Sequence, residues 1–255
     1  MFDLTNPHFL EILLPFVAVG FLAQLIDGAL GMAFGVISTT LFVTLGVPPA
    51  LASAGVHTVE CCTTGVSGIS HIFHRNVDWK LLLRLALPGV IGAVLGAYVL
   101  TQIDAATVKP FILAYLAAIG LYLIWRGVRY PPHHKPPRVV EPLGFVGGFL
   151  DAAGGGGWGP VVTGNLLVQG AEPRLTIGTV NTAEFLVTVS ASVTFIASLG
   201  WQAFSAATLG LLIGGVVAAP VAAMVARRAR PKLLLVMVGI VLTLTSLYGV
   251  ARALG

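Results

Sequence analysis

DAAGGGGWGP, residues 151–160, sets four consecutive glycines, an aspartate and a tryptophan between two apolar runs. The chain around it has 255 residues, of which 56% are hydrophobic and only 9% charged, with a mean hydropathy of +0.94. Its apolar runs reach about 20 residues, enough to cross a hydrocarbon layer of roughly 30 Å. The chain therefore reads as an integral membrane protein, and the glycine stretch as a break in the apolar pattern within the bilayer.

Working outward, a shift of 124 residues carries Asp27 onto Asp151 and lays GFLAQLIDGALGMAFGV (from Gly20) on GFVGGFLDAAGGGGWGP (from Gly144). Of the 41 positions from Gly20 to Glu60, 13 are identical under this shift. They include Gly31/Gly155, Gly35/Gly159, Pro49/Pro173, Thr58/Thr182 and Glu60/Glu184. An internal duplication is the reading. Repeat one covers 9–128 and repeat two 141–252. Between them, 129–140 is a polar linker; prolines at 131, 132, 136 and 137, with Pro142 just beyond, keep it from continuing a helix.

Charge gives the orientation. Basic residues gather in 74–84, 126–138 and 226–232, which the positive-inside rule makes cytoplasmic; 101–107 and 199–202 carry no Lys or Arg and should face outward. Equivalent loops of the two repeats thus lie on opposite sides, which requires inverted halves and an odd number of crossings in each. Helices expected near 51–73, 80–101 and 107–126, and near 174–199, 202–226 and 231–251, supply three per half. The segments 9–46 and 141–170 must then be broken or re-entrant hairpins. The fold class is an all-α membrane protein of two inverted-topology repeats, each a hairpin plus three transmembrane helices, with both termini outside. The N-terminal flank MFDLTNPHF has no basic residue, so the first apolar run is read as structure and not as a leader.

Inverted-repeat transporters commonly hold substrate near the midplane, where broken helices point their termini at it. Gly154, Gly155, Gly156 and Gly157, with Gly159, would let the backbone approach a ligand; Pro160 suits the first turn of the following helix, whose N–H groups and dipole favour an anion. In the first half Gly31 and Gly35 are the counterparts. Close helix packing is the other reading of such glycines. Trp158 is either part of this site or an interface anchor. Asp27 and Asp151 are expected to cap the helices that follow.

His57, Glu60 and Thr64 share one helix face, as do Asn181, Glu184 and Thr188. Each glutamate is then directed inward, as a protonatable coupling group, as a partner that orients the glycine loops, or as a structural residue. Asn181 joins the substrate set, and His57 is a further proton carrier. Arg174 is a cytoplasmic gate or a topology signal. Cys61 and Cys62, adjacent in one helix, cannot easily pair with each other; they are thiolate ligands or small buried hydrophobes, the second favoured. No catalytic motif occurs: HExxH, GxSxG and a Walker lysine are absent, and GGGGWGP lacks the ending of a phosphate loop. An enzyme, a metal site and a cofactor are not expected. With basic residues clustered in short loops and no long soluble basic surface, neither is nucleic acid.

FLDAAGGGGWGPVVTGNLLVQG (149–170), PRLTIGTVNTAEFLVT (173–188) and GGVVAAPVAA (214–223), with the weaker first-half copy, resemble the TauE/SafE family of sulfite and organosulfonate exporters. The resemblance implies a secondary transporter of small sulfur-containing anions such as sulfite or sulfoacetate, in the cytoplasmic membrane of a prokaryote. Protons are the expected coupling ion and alternating access the expected mechanism; lipids and a homo-oligomer are the other expected partners. The alternative is a passive anion channel with the glycine loops as filter. The first half departs from the glycine pattern, with Met32, Ala33 and Phe34 opposite Gly156, Gly157 and Trp158.

Overall fold

The computed structural model describes residues 9–30, 32–129, 136–200, 205–226 and 231–254. Gly31, the middle of the linker and the arginines at 227, 228 and 230 fall outside the described residues. Within them the chain is helical. The first half comprises α1 (Phe9–Leu30), α2 (Phe34–Thr44), α3 (Pro49–Phe73), α4 (Trp79–Gln102) and α5 (Ala105–Val128). The second comprises α6 (Glu141–Gly154), a π-helical turn (Trp158–Thr163) leading into α7 (Gly164–Val168), then α8 (Pro173–Leu199), α9 (Ala206–Ala226) and α10 (Pro231–Leu254).

Helix starts follow local chemistry. Proline opens α3 and α8, where its missing N–H costs nothing. Asp78 accepts from the N–H groups of Lys80 (2.9 Å) and Leu81 (3.1 Å), Asp104 from Thr107 (3.1 Å), and Glu172 from Arg174 (3.1 Å) and Leu175 (2.8 Å). Each side chain takes up an N–H group that the helix itself leaves open. Among the described residues, stretches of α1, α4, α5 and α8 are long and apolar enough to cross a membrane. α3 is equally long but devotes a face to polar residues.

The five steps of the first half recur in the second at the 124-residue shift, the π turn with α7 matching α2. The packing matches too. Gly65 faces Phe185, Gly68 faces Thr182 and Cys61 faces Ser192, so α3 and α8 cross antiparallel. Gly120 lies on Gly239 and Gly249 on Leu113, so α5 and α10 do the same. α6 runs parallel to α4, with Gly144 on Leu85 and Gly148 on Gly89, while α1 runs parallel to α9, with Gly210 on Leu13 and Gly214 on Val17. At these last contacts a Cβ would collide with the opposing backbone, so glycine allows the helices to touch main chain to main chain.

The second hairpin turns back. α6 has 14 residues, about 21 Å of helix, short of the hydrocarbon thickness. The Gln169 side chain, just past α7, holds the backbone where the chain enters α6: its Oε1 accepts from Arg138 N–H (2.9 Å) and Val139 N–H (3.1 Å), and its Nε2 donates to the Val139 carbonyl (3.1 Å). Arg84 at the start of α4 pairs with Glu141 at the start of α6 (2.5 and 3.0 Å). Arg174 at the start of α8 donates to Asn76 Oδ1 (2.5 Å) and the His74 carbonyl (3.1 Å) beyond the end of α3. Both ends of the second hairpin therefore lie at the end of the molecule where α3 finishes, and the first hairpin is joined to the end where α3 begins. The hairpins approach from opposite ends and meet at their tips.

Candidate functional site at the hairpin tips

At the tip of the second hairpin, α6 ends on Gly155 (φ 69°), followed by Gly156 (φ 144°). These left-handed angles are open to glycine and strained for other residues. The chain must turn here while touching the other hairpin: a Cβ on Gly156 would strike the backbone of Gly35 and Val36, and one on Gly155 would strike Thr39. Gly35 in turn leaves no space for a side chain, because Glu60 Oε1 lies 2.8 Å and Gly156 Cα 3.1 Å from where its Cβ would stand. The glycines thus serve a crossing point between the tips, and Glu60 is built against it.

The two aspartates close the helix ends. Asp151 Oδ1 accepts from Gly157 N–H (2.7 Å) and Trp158 N–H (2.9 Å), and Asp27 Oδ1 accepts from Phe34 N–H (3.3 Å). This corrects the expectation that free N–H groups at these termini await a substrate anion. The anion at each helix end is the protein's own carboxylate, reaching back from the preceding helix.

Asp151 Oδ2 meets His57 Nε2 at 3.2 Å, with the histidine 0% exposed. His57 Nδ1 lies 2.8 Å from the Ser53 carbonyl, and Ser53 Oγ donates to the Ala152 carbonyl at the end of α6 (2.7 Å). With Nδ1 donating to that carbonyl, Nε2 is an acceptor in the neutral ring, so the contact with Asp151 needs one proton between Nε2 and Oδ2, held by the imidazole or by the carboxyl group. α3 thus presents Ser53, His57 and Glu60 to the tip of the opposite hairpin. Glu184 and Asn181 on α8 are buried as well; Asn181 Nδ2 donates to the Ile177 carbonyl of its own helix (3.0 Å).

Several polar atoms on α2 and α3 have no hydrogen-bond partner among the described residues. They are Glu60 Oε2 and the hydroxyls of Ser38, Thr39 and Thr40 on α2, all buried. Leaving such groups unbonded costs roughly 1–3 kcal/mol each. His57, Glu60 and Asp151 also offer ligand atoms within 4.8 Å of one another, a geometry that could close on a cation although the sequence predicts no metal.

Other expectations are revised. Trp158 is 0% exposed, packs on Gly89 and Gly147, and donates from Nε1 to the Val180 carbonyl (3.1 Å), so it locks the hairpin to α4, α6 and α8 and is no interface anchor. Cys62 is exposed and Cys61 half-buried with Sγ 3.4 Å from Ser192 Oγ, so neither is a fully buried hydrophobe. Gly154 and Gly157 pack on Tyr115, and Gly159 lies within the π-helical turn. Sequence reasoning missed Ser53, Thr39 and Tyr115. Ser53 stands one turn before His57 and was legible from helical spacing; Thr39 and Tyr115 are brought in by tertiary packing alone.

Residues 16–249 match the sulfite exporter TauE/SafE family. The chain belongs to that family. It is 45% identical over 236 residues to a Bacillus subtilis protein named probable membrane transporter protein YtnM, covering 89% of this chain and 79% of that relative. No solved structure matches. This TauE/SafE protein is a multi-pass membrane transporter and not an enzyme, and its family implies a small anion as substrate.

Proposed function

We propose that the protein exports small sulfur-containing anions, sulfite or organosulfonates such as sulfoacetate, across the cytoplasmic membrane of a prokaryote. Export proceeds by alternating access and is coupled to protons. The observation that carries the reading is the meeting of two hairpin tips at a buried polar centre in a TauE/SafE chain, with hydroxyls and a carboxylate oxygen there left unpartnered. The substrate lies against Gly35, Gly154–Gly157, Trp158 and Gly159, with Asn181 at its edge. The Ser38 and Thr39 hydroxyls donate to its oxygens in place of the N–H groups that Asp151 occupies.

Asp151 and Glu60 lie beside the His57 imidazole, and the buried carboxyl groups of Asp27 and Glu184 are near enough to interact with Glu60. An anion enters such a site only if protons accompany it, which makes Glu60, Glu184 and His57 the coupling groups. The basic segments set the orientation, with the linker cytoplasmic and the two halves inverted.

Calorimetry with sulfite, sulfoacetate, taurine and sulfate at two pH values, on the parent and a Glu184→Gln variant, tests this. Proton-linked binding predicts tighter sulfite or sulfonate binding at the lower pH in the parent, and a weaker pH dependence in the variant. Unchanged pH dependence in the folded variant removes Glu184 from the coupling. Transport by vesicles that saturates and moves protons supports a carrier; non-saturating current would replace it with a channel.

A further inference from the structure

α3 and the tip of the second hairpin bring three ligand-bearing side chains together in the interior. His57 and Glu60 share one face of α3, and Asp151 reaches them from the last turn of α6, 94 residues from His57 in the chain. They are 0%, 3% and 2% exposed, and one donor atom from each lies within 4.8 Å of the other two. Three atoms so spaced leave a point within about 2.8 Å of each, and side-chain shifts of less than an ångström bring that to the roughly 2.0–2.2 Å of zinc bound to nitrogen or oxygen. The surroundings orient the donors. His57 Nδ1 donates to the Ser53 carbonyl at 2.8 Å, which turns the Nε2 lone pair outward, as in imidazoles that ligate metals. Asp151 Oδ1 is held by the Gly157 and Trp158 N–H groups, and Oδ2 faces Nε2 at 3.2 Å. Two neighbouring ligands on one tetrahedral ion stand about 3.3 Å apart. Glu60 Oε2, buried beside them, has no hydrogen-bond partner among the described residues.

Two lone pairs that face each other need a cation between them, either a proton or a metal ion in its place. A proton joins Nε2 to Oδ2 and leaves Glu60 Oε2 unsatisfied. A metal ion takes all three donors. One neutral imidazole and two carboxylates carry two negative charges, which a divalent ion cancels in an interior that tolerates unpaired charge poorly. A nitrogen donor beside two oxygens suits zinc or a similar first-row ion, whereas magnesium and calcium favour oxygen alone. The duplicated position lacks the nitrogen donor, since Asn181 stands there and gives its Nδ2 to the Ile177 carbonyl of its own helix. We propose that His57, Glu60 and Asp151 bind a divalent transition-metal ion such as zinc where the hairpin tips meet. Binding displaces the proton between His57 and Asp151 to solvent and ties α3 to the second hairpin. The site stands on these donor atoms and not on the identity of the transported anion.

The test is titration of the purified, chelator-stripped full-length protein with zinc by calorimetry and with cobalt(II) by visible absorption. The expected result is one tight, chelator-reversible equivalent, with protons released to the buffer and the intense cobalt bands of a four-coordinate site. Glu60→Gln and His57→Gln should each weaken that equivalent by roughly 100-fold or more, since changes just beyond the ligands already cost about 10- to 100-fold. A His71→Gln/His74→Gln double variant, altered at the far end of α3, should keep it. If His57→Gln does not fold, Glu60→Gln decides. Parent affinity in the folded His57 and Glu60 variants, or loss of the equivalent in the double variant, places the ion elsewhere and overturns the site. A folded parent that takes up neither metal also overturns it, and sulfite binding by that same protein would leave the transport reading standing.

Discussion

The two hairpin tips solve one geometric problem with different residues. The second makes its turn with Gly155 and Gly156 at positive φ and follows them with Trp158, wedged against α4 and α8. The first turns through Met32 and Ala33, both buried, and Ala33 sits at φ 124°, where a Cβ is strained. Its aspartate accepts one N–H group where Asp151 accepts two and also meets a histidine. The second tip is the glycine-built surface that the first packs upon, and the first is the one that carries side chains. A pseudo-symmetric frame can thus hold an asymmetric site.

The sharpest way to break this comparison is to put a side chain on the glycine tip. Gly156→Val forces a β-branched residue to φ 144° and against the Val36 backbone. It should cost about 4 kcal/mol or more and separate the tips, seen as loss of folded protein on gel filtration and loss of transport. Met32→Gly, at the duplicated position, should leave a folded protein; if both variants behave alike, the tips are not distinct.

Next come the aspartates. Asp151→Asn disrupts a buried pair with His57 and weakens two helix-end bonds, which should cost about 3–5 kcal/mol. Asp27→Asn touches one longer bond and should cost about 1 kcal/mol. Thermal unfolding in detergent measures both, and equal losses would remove the distinction. The smallest effect has the opposite sign. Ala33→Gly releases backbone strain and should raise stability by up to about 1 kcal/mol; a lower melting temperature would mean that Ala33 is not strained in the folded protein.

Much of this was legible in the sequence. Hydropathy, the 124-residue echo and the prolines before α3 and α8 locate the long helices to within a few residues, because helix starts are set by local chemistry. The polar faces around His57 and Glu60 and around Asn181 and Glu184 follow from helical spacing. What escaped depends on which atoms meet. That the Gly157 and Trp158 N–H groups are taken by Asp151 is a tertiary fact, although a carboxylate seven residues ahead of each helix start hints at it. Trp158 looked equally suited to lipid headgroups and to a core, and only the neighbours of Gly89 and Gly147 decide. Arg126 was hidden by its company, since a charge beside a basic linker reads as topology until α5 is seen to carry it inside.

The close glycine contacts pair α6 with α4 and α1 with α9, and in each pair one helix comes from either half of the sequence. Each hairpin is thus carried on a helix of the other repeat. Severed in the linker, the chain would yield two fragments that each hold a hairpin arm without its bed and a bed without its arm. Any shift of one half against the other would have to break these main-chain contacts, so the linker in the sequence does not mark the edge of a packed unit.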